Sequence, residues 1–185
     1  MTLAVKRLIR DVAARLPELG HVRPGNVLVV AGEARRASRA TIRPARASAS
    51  ARARPAIRVK GREILYVVTL RPIWFLESTP RQRIATILHE LYHVSTRFDG
   101  TLHRGRRHSR MPLAVYNRRI RALLARYLAV APEEIVAPFS AAGIVRARMW
   151  LERPSASRGE RRGRQLYTER QLFHGPVRMV TPRRR

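Results

Sequence analysis

The segment His89-Glu90-Leu91-Tyr92-His93 constrains this chain more than any other, because its chemistry requires a helix. Two histidines four residues apart share one helix face and are separated by about 6 Å along the axis. This HExxH spacing is typical of sites that bind zinc through two imidazoles and keep a carboxylate beside the metal. Glu90 directly follows the first histidine and is the candidate general base.

The residues before this segment carry strong signals for the start of a helix. Thr79 can serve as N-cap, Pro80 occupies the first turn, and Gln82 completes a capping box. Neither proline nor glycine occurs from Arg81 to Val94. The sequence therefore predicts an uninterrupted helix that carries the motif.

Four apolar residues of this helix fall on one stripe about 100° wide, the side expected to face the core. They are Ile84, Ile87, Leu88 and Leu91. His89 and His93 point away from that stripe. A histidine that only packs in the core should lie among the apolar positions, so the pattern favours metal ligands over core residues.

Catalytic zinc usually takes three protein ligands and leaves one position for water, so a third ligand must follow the helix. Asp99-Gly100 is a strong turn signal that would bring the chain back towards the metal. The candidates are His108, His103, Asp99, and Glu133 or Glu134. Asp99 has the position of the third ligand in HExxHxxGxx(H/D) enzymes, but Thr96 replaces the glycine of that pattern. His108 precedes the next helix and is preferred, with His103 second.

The segment HELYHVSTRFDGTLHRGRRHSR resembles the signature of the phage-type metallopeptidases, a family of small HExxH proteins. The resemblance covers roughly Ile64 to Pro138, and its specificity lies in the FDG turn and the later histidine. It implies an α+β, zincin-like domain in which a short β-sheet packs on the HExxH helix and a following helix. It also implies a zinc-dependent peptidase acting on a peptide or protein. On this match His89, His93 and His108 would bind Zn²⁺, and Glu90 would be the base.

Length and cysteine content limit the remaining possibilities. A chain of 185 residues fits one domain with extensions. Cysteine is absent, so the chain has no disulfide and no thiolate ligand, and any zinc must be held by histidine and carboxylate. This composition is compatible with a reducing cytoplasm, which is the expected location. No apolar run approaches the ~20 residues of a membrane span, and no membrane partner is expected.

The charge is extreme. Thirty-nine basic against twelve acidic residues give a net charge of +27, and nearly all the basic residues are arginine. Such an excess attracts polyanions, of which nucleic acid is the first candidate. Two alternatives to a plain peptidase follow. One is a nucleic-acid-associated metalloprotease similar to SprT-type proteins; the other is a non-catalytic basic nucleic-acid-binding protein that holds no zinc.

The domain organisation expected from composition is a metallopeptidase domain over residues 1–138 and a basic C-terminal extension over 139–185. A basic low-complexity insertion at about 33–55 interrupts the domain and is expected to be a disordered or extended loop. Residues 154–164 are expected to be a linker.

Hydrophobic periodicity predicts the other elements. Helices are expected over residues 2–16 and 112–129, and a short helix is expected to begin at Pro132. Val27 to Ala31 reads as a buried strand. Residues 57–59 and 64–70 flank Lys60-Gly61-Arg62-Glu63 and are expected to form a β-hairpin. The apolar spacing of Tyr116 in the second of these helices favours core packing over a role in the reaction.

Overall fold

The computed structural model describes residues 1–32, 38–46, 55–71, 75, 77–106, 108–154 and 165–179. Within these ranges the helices are α1 (Thr2–Arg15), α2 (Pro80–Tyr92), α3 (Leu113–Leu128) and α4 (Glu133–Val136). The strands are β1 (Val27–Ala31), β2 (Ala40–Pro44), β3 (Ala56–Val59), β4 (Arg62–Glu63), β5 (Tyr66–Leu70), β6 (Gly143–Trp150), β7 (Leu166–Tyr167) and β8 (Leu172–Met179). The helices predicted at 2–16, 112–129 and after Pro132 are confirmed, as is the strand beginning at Val27.

The main sheet has five strands in the order β2-β5-β1-β6-β8. The central strand β1 is parallel to both of its neighbours, and the two outer strands pair antiparallel. All five residues of β1 and of β5 are buried. Strands covered on both faces read as continuous apolar runs, which explains why these two were recognisable in the sequence.

The two faces of the main sheet have different coverings. Val27 and Val29 of β1 pack on the side of the three long helices, within the larger hydrophobic core. Leu28 and Val30 point the other way, into a smaller core that includes Ile57. That second face is covered by a three-stranded sheet in the order β4-β3-β7. The fold is therefore the expected α+β, zincin-like domain, with the five-stranded main sheet packed on the HExxH helix and the helix after it.

The predicted hairpin forms with a different partner. β3 pairs with β4, not with β5, because Lys60 and Gly61 both have positive φ angles (51° and 72°) and close a two-residue turn. The chain then leaves the small sheet at Leu65, whose N–H donates to the Asn26 carbonyl, and β5 joins the main sheet. The turn was correctly placed, but residues 66–70 belong to another sheet.

The basic segment at 33–55 is not wholly a loop. Ala40–Pro44 forms β2 and pairs antiparallel with β5 along its whole length. The expectation of a disordered or extended loop is wrong for these five residues, because non-local pairing with an apolar strand outweighs their weak local signal. Residues 33–37 and 47–54 of the segment lie outside the described residues.

The expected C-terminal extension contributes two strands to the same main sheet. β6 lies beside β1, and β8 pairs with β6 over eight residues. The start of α1 is bonded to this region: the amino group of Met1 donates to the Arg146 carbonyl (2.6 Å), and the Arg148 N–H donates to Thr2 Oγ1 (2.9 Å). Most of the expected linker and the Arg183-Arg184-Arg185 tail lie outside the described residues.

None of the helices in the described ranges combines the length and the apolar character needed to cross a membrane.

Candidate metal centre

Helix α2 begins as its sequence predicts. Thr79 Oγ1 accepts from the Gln82 N–H (3.2 Å) and Gln82 Oε1 accepts from the Thr79 N–H (3.0 Å), which completes the capping box. The predicted stripe is buried in the larger core, with exposed fractions of 3% or less: Ile84, Ile87, Leu88 and Leu91. Burial of this stripe fixes the rotation of the helix, so His89 and His93 lie on its other side, where they are half-buried.

The chain reverses direction after α2 at the predicted turn. Gly100 adopts a left-handed conformation (φ 80°), and Phe98 does so as well (φ 52°) while its buried ring packs on Tyr66. The Tyr66 hydroxyl accepts from the Gly100 N–H (3.1 Å) and donates to the Thr101 carbonyl (2.7 Å). An antiparallel bridge between Val94 and Leu102 closes the turn, so the returning strand runs back along the end of α2.

The returning chain brings a third imidazole to the other two. His89 Nε2 lies 3.2 Å from His108 Nε2 and 3.3 Å from His93 Nε2. The ligand atoms of the three residues all lie within 4.8 Å of one another. His108 is exposed to solvent, whereas the other two are half-buried. Three imidazole nitrogens that converge in this way could hold a metal ion and leave a solvent-facing position open.

A backbone carbonyl orients the ring of His93. The turn at Arg104–Arg106 places the Arg106 carbonyl 2.8 Å from His93 Nδ1. A carbonyl can only accept, so Nδ1 carries the proton and Nε2 presents a lone pair to the other histidines. The Arg106 side chain is fixed nearby, with its guanidinium 4.2 Å from the Tyr92 ring centroid.

The electrostatic environment keeps the imidazoles of His89 and His93 neutral. Burial, together with the neighbouring His93 and His108, lowers the pKa of His89 to about 3. Burial also lowers the pKa of His93. A neutral imidazole is the form that binds metal ions, so neither histidine needs to lose a proton near neutral pH.

Glu90 lies on the sheet side of the helix and is 8% exposed. Its Oε2 accepts a hydrogen bond from the N–H of Ile42 in β2 (2.7 Å), which ties the HExxH helix to the edge strand. Burial raises the pKa of Glu90 to about 8, and the hydrogen bond from Ile42 opposes this in part. The carboxyl group is therefore a stronger base than an exposed glutamate.

Tyr116 of α3 lies among the three histidines. Its ring centroid is 4.7 Å from that of His89, 5.2 Å from His93 and 4.8 Å from His108. Its hydroxyl donates to the His89 carbonyl (3.0 Å) and lies 3.3 Å from His93 Nε2. Tyr116 is fully buried, as its apolar spacing predicted, but it packs against the candidate ligands and not only against the core.

The other candidates for the third ligand lie outside this group of converging atoms in the described part of the chain. His103 is held by its backbone, whose N–H donates to the His93 carbonyl (2.8 Å), and its Nδ1 is buried without a hydrogen-bond partner. Asp99 accepts from the Thr101 hydroxyl (2.6 Å) and pairs with Arg97 (3.0 Å). Glu133 and Glu134 form the first turn of α4. The structure thus brings together His89, His93 and His108, and it places these four residues elsewhere.

Two backbone groups of the site were not predicted from the sequence. The Ile42 N–H that contacts Glu90 and the Arg106 carbonyl that contacts His93 have no side-chain signature. Every residue supplies the same backbone atoms, so only the fold can show which of them reach the site.

A family model described as "Putative phage metallopeptidase" matches residues 2–114, which run from the start of α1 to the start of α3 and include Glu90 and the three converging histidines. Comparison with curated proteins and with solved structures gave no match for the chain. Because the matched residues make up more than half of the 185-residue chain, it belongs to the family of putative phage metallopeptidases.

Proposed function

We propose that this chain is a zinc-dependent metallopeptidase in which His89, His93 and His108 bind the ion. The convergence of their Nε2 atoms carries the proposal. Nitrogen ligands 2.0–2.1 Å from a tetrahedral zinc ion lie about 3.3–3.4 Å apart. The separations of 3.2 and 3.3 Å at His89 fit this value. The donor set agrees as well, because the chain offers imidazole and carboxylate but no thiolate.

When bound, zinc supplies Lewis acidity, which lowers the pKa of a water molecule and polarises a peptide carbonyl. Glu90 accepts a proton from the attacking water and delivers it to the leaving amine. Its position directly after a ligand brings it close to the water without making it a ligand. Because the Ile42 N–H donates to Glu90 Oε2, Oε1 would be the oxygen that accepts and releases the proton.

The position of β2 suggests how a peptide substrate lies in the site. β2 is an outer strand of the main sheet and is bonded through Ile42 to the residue that acts as base. An extended peptide can add to the edge of a sheet through backbone hydrogen bonds. A substrate chain along β2 would therefore pass close to Glu90.

The test compares wild type with Glu90→Gln. The amide oxygen of glutamine can still accept the Ile42 N–H, so the variant should fold and bind zinc like wild type. Its proteolytic rate should fall by at least about 100-fold, because general-base catalysis contributes roughly 10² to 10⁴. Zinc is measured by elemental analysis, and cleavage by mass spectrometry of a proteome-derived peptide library. Stoichiometric zinc with no cleavage by wild type would refute the peptidase activity, and absence of zinc would refute the metal site.

A further inference from the structure

A cavity of about 590 Å³ lies on another part of the molecule and is strongly cationic. Its walls come from α1, the turn before β1, the β3–β4 hairpin and β6. Five cations line it: Lys6, Arg10, Lys60, Arg62 and Arg148. None of the described residues that line it is acidic. It shares no residue with the histidine site, and its properties do not depend on the proposed peptidase activity.

The positive charges of this cavity are largely unbalanced. The Lys60 N–H donates to the Glu169 carboxylate (3.2 Å), which offsets part of the charge at that corner. The other four side chains form no ion pair within the described ranges. Burial and repulsion from Arg148, Arg10 and Arg62 together lower the pKa of Lys6 to about 8. All four of these cationic side chains line the same cavity.

One of these cations is held in place by the backbone, and a second lies close against it. The Lys6 ammonium donates to the carbonyls of Pro24 and Val27, which fixes it at the cavity wall. The Arg62 guanidinium lies against Gly25, where a Cβ would come within 2.7 Å of Nη1. Gly25 thus provides the space that Arg62 occupies. Fixed cations lose less conformational entropy on binding an anion than free surface side chains do.

A second cavity of about 240 Å³ adjoins the first and shares Lys6 and Arg148 with it. It adds His174 and the start of α1 to the lining. We call these two adjoining cavities, which share two cations, the cationic cleft. Cations spread over two adjoining cavities suit a ligand with several phosphates better than a compact anion.

We propose that this cleft, defined by Lys6, Arg10, Arg62 and Arg148, binds a phosphate-bearing polyanion, such as a single nucleic-acid strand. The planar guanidinium groups of three arginines suit phosphate oxygens, to which they can donate in pairs. The half-buried lining residues Pro24 and Val59 give a base or ribose an apolar surface to pack on. A free nucleotide shares this phosphate chemistry and is distinguished from a strand in the experiment.

The experiment measures fluorescence anisotropy of a labelled oligothymidylate of about 12 nucleotides with the full-length chain, as a function of salt. The cleft variant Arg62→Gln/Arg148→Gln is compared with Arg118→Gln/Arg121→Gln, which removes the same charge from exposed positions on α3. The cleft variant should bind roughly tenfold or more weakly. The slope of log affinity against log salt concentration should fall in magnitude by about 1.4, since two phosphate contacts of a single strand disappear. The α3 variant should change little. Thermal melting checks that both variants fold.

A third variant distinguishes a specific binding site from non-specific electrostatic attraction of the oligonucleotide. Gly25→Ala leaves the net charge unchanged but displaces the Arg62 guanidinium, so it should also weaken oligonucleotide binding. If ATP binds in place of the strand and both cleft variants lose that binding, the proposal holds with a free nucleotide as the source. Equal losses of oligonucleotide affinity in the two double variants, with no effect of Gly25→Ala, would overturn the proposal. It would also be overturned if the wild-type chain bound neither the oligonucleotide nor ATP. The same holds if polyglutamate of the same charge competed as effectively as unlabelled oligothymidylate.

Discussion

At the scale of single residues, one backbone carbonyl decides which nitrogen of His93 faces the candidate metal site. The Arg106 carbonyl accepts a hydrogen bond from Nδ1–H, which leaves Nε2 as the lone-pair donor. The turn at Asp99-Gly100 makes this possible because it returns the chain beside α2. The sequence predicted that turn and favoured His108, but the Arg106 contact depends on a backbone atom that no sequence pattern marks.

The third ligand can be assigned by comparing two histidines of the same loop. His108→Ala removes one of three converging nitrogens, so we expect zinc affinity to fall by more than the roughly 10- to 100-fold typical of losing an indirect contact. His103→Ala should leave the affinity near that of wild type. Competition with a chromophoric chelator measures both. A larger loss in His103→Ala than in His108→Ala would reverse the assignment.

The contribution of the Asp99-Gly100 turn to the stability of the fold depends on pH. The Thr101 hydroxyl, with smaller effects from other hydrogen bonds and Arg97, lowers the pKa of Asp99 from 3.8 to about 2. A lowered pKa means that the ionised carboxylate stabilises the fold above pH 3.8 and that this stabilisation disappears as the pH falls through about 2. The residue is exposed to solvent, so we expect this stabilisation to be less than about 1 kcal/mol.

Asp99→Asn tests this pH dependence. The variant should be less stable than wild type near neutral pH, and the difference should shrink below pH 3.8 and vanish below about pH 2, where wild-type Asp99 is itself mostly protonated. Urea unfolding at a series of pH values measures it. A difference that is independent of pH would mean that the carboxylate charge contributes nothing to the turn.

At the scale of elements, α2 was predictable because its signals are local. The N-cap, the capping box and the apolar stripe all lie within fourteen residues, and the structure agrees with each of them. β2 was not predictable, because Ala40–Pro44 becomes a strand by pairing with β5 and by donating to Glu90. The predicted pairing of β3 with residues 66–70 was wrong for the same reason. The turn is determined by neighbouring residues, but the sheet that residues 66–70 join is determined by residues far away in the sequence.

The capping box of α2 gives a prediction for the helix that carries the motif. Thr79→Ala removes the acceptor for the Gln82 N–H, so the free energy of unfolding should fall by about 1 kcal/mol. Thr86→Ala is the matched control, since the Thr86 hydroxyl only donates to the Gln82 carbonyl within the helix (2.8 Å). It should change stability by less than about 0.5 kcal/mol. Equal effects in chemical denaturation would show that the cap contributes nothing specific.

At the scale of the whole molecule, residues far apart in the sequence build both sites. The cationic cleft joins Lys6 of α1, Arg62 of the hairpin and Arg148 of β6. Composition predicted that a chain with a net charge of +27 attracts polyanions, but it did not predict where they bind. The position of the cationic cleft follows from sheet topology, because β6 lies beside β1 and brings Arg148 to the start of α1.

The same topology bears on where the folded domain ends. Composition divides the chain at residue 138, yet the residues beyond it bury Phe139, Ala147 and Tyr167. The buried guanidinium of Arg83 in α2 donates to the carbonyls of Phe139 and Ala141, so the HExxH helix itself depends on this region. Without β6, the apolar strand β1 would become an exposed edge, which favours aggregation.

We therefore expect residues 1–138 alone to lack cooperative unfolding and to aggregate, whereas the full chain unfolds in one transition. Removing the acceptors of a buried charged group costs several kcal/mol, and the loss of three buried side chains adds to it. Size-exclusion chromatography and urea unfolding of the two chains measure the difference. A monomeric 1–138 chain with the same unfolding midpoint would show that β6 and β8 are an appendage, and that the helices and strands β2, β5 and β1 suffice to hold the histidine site.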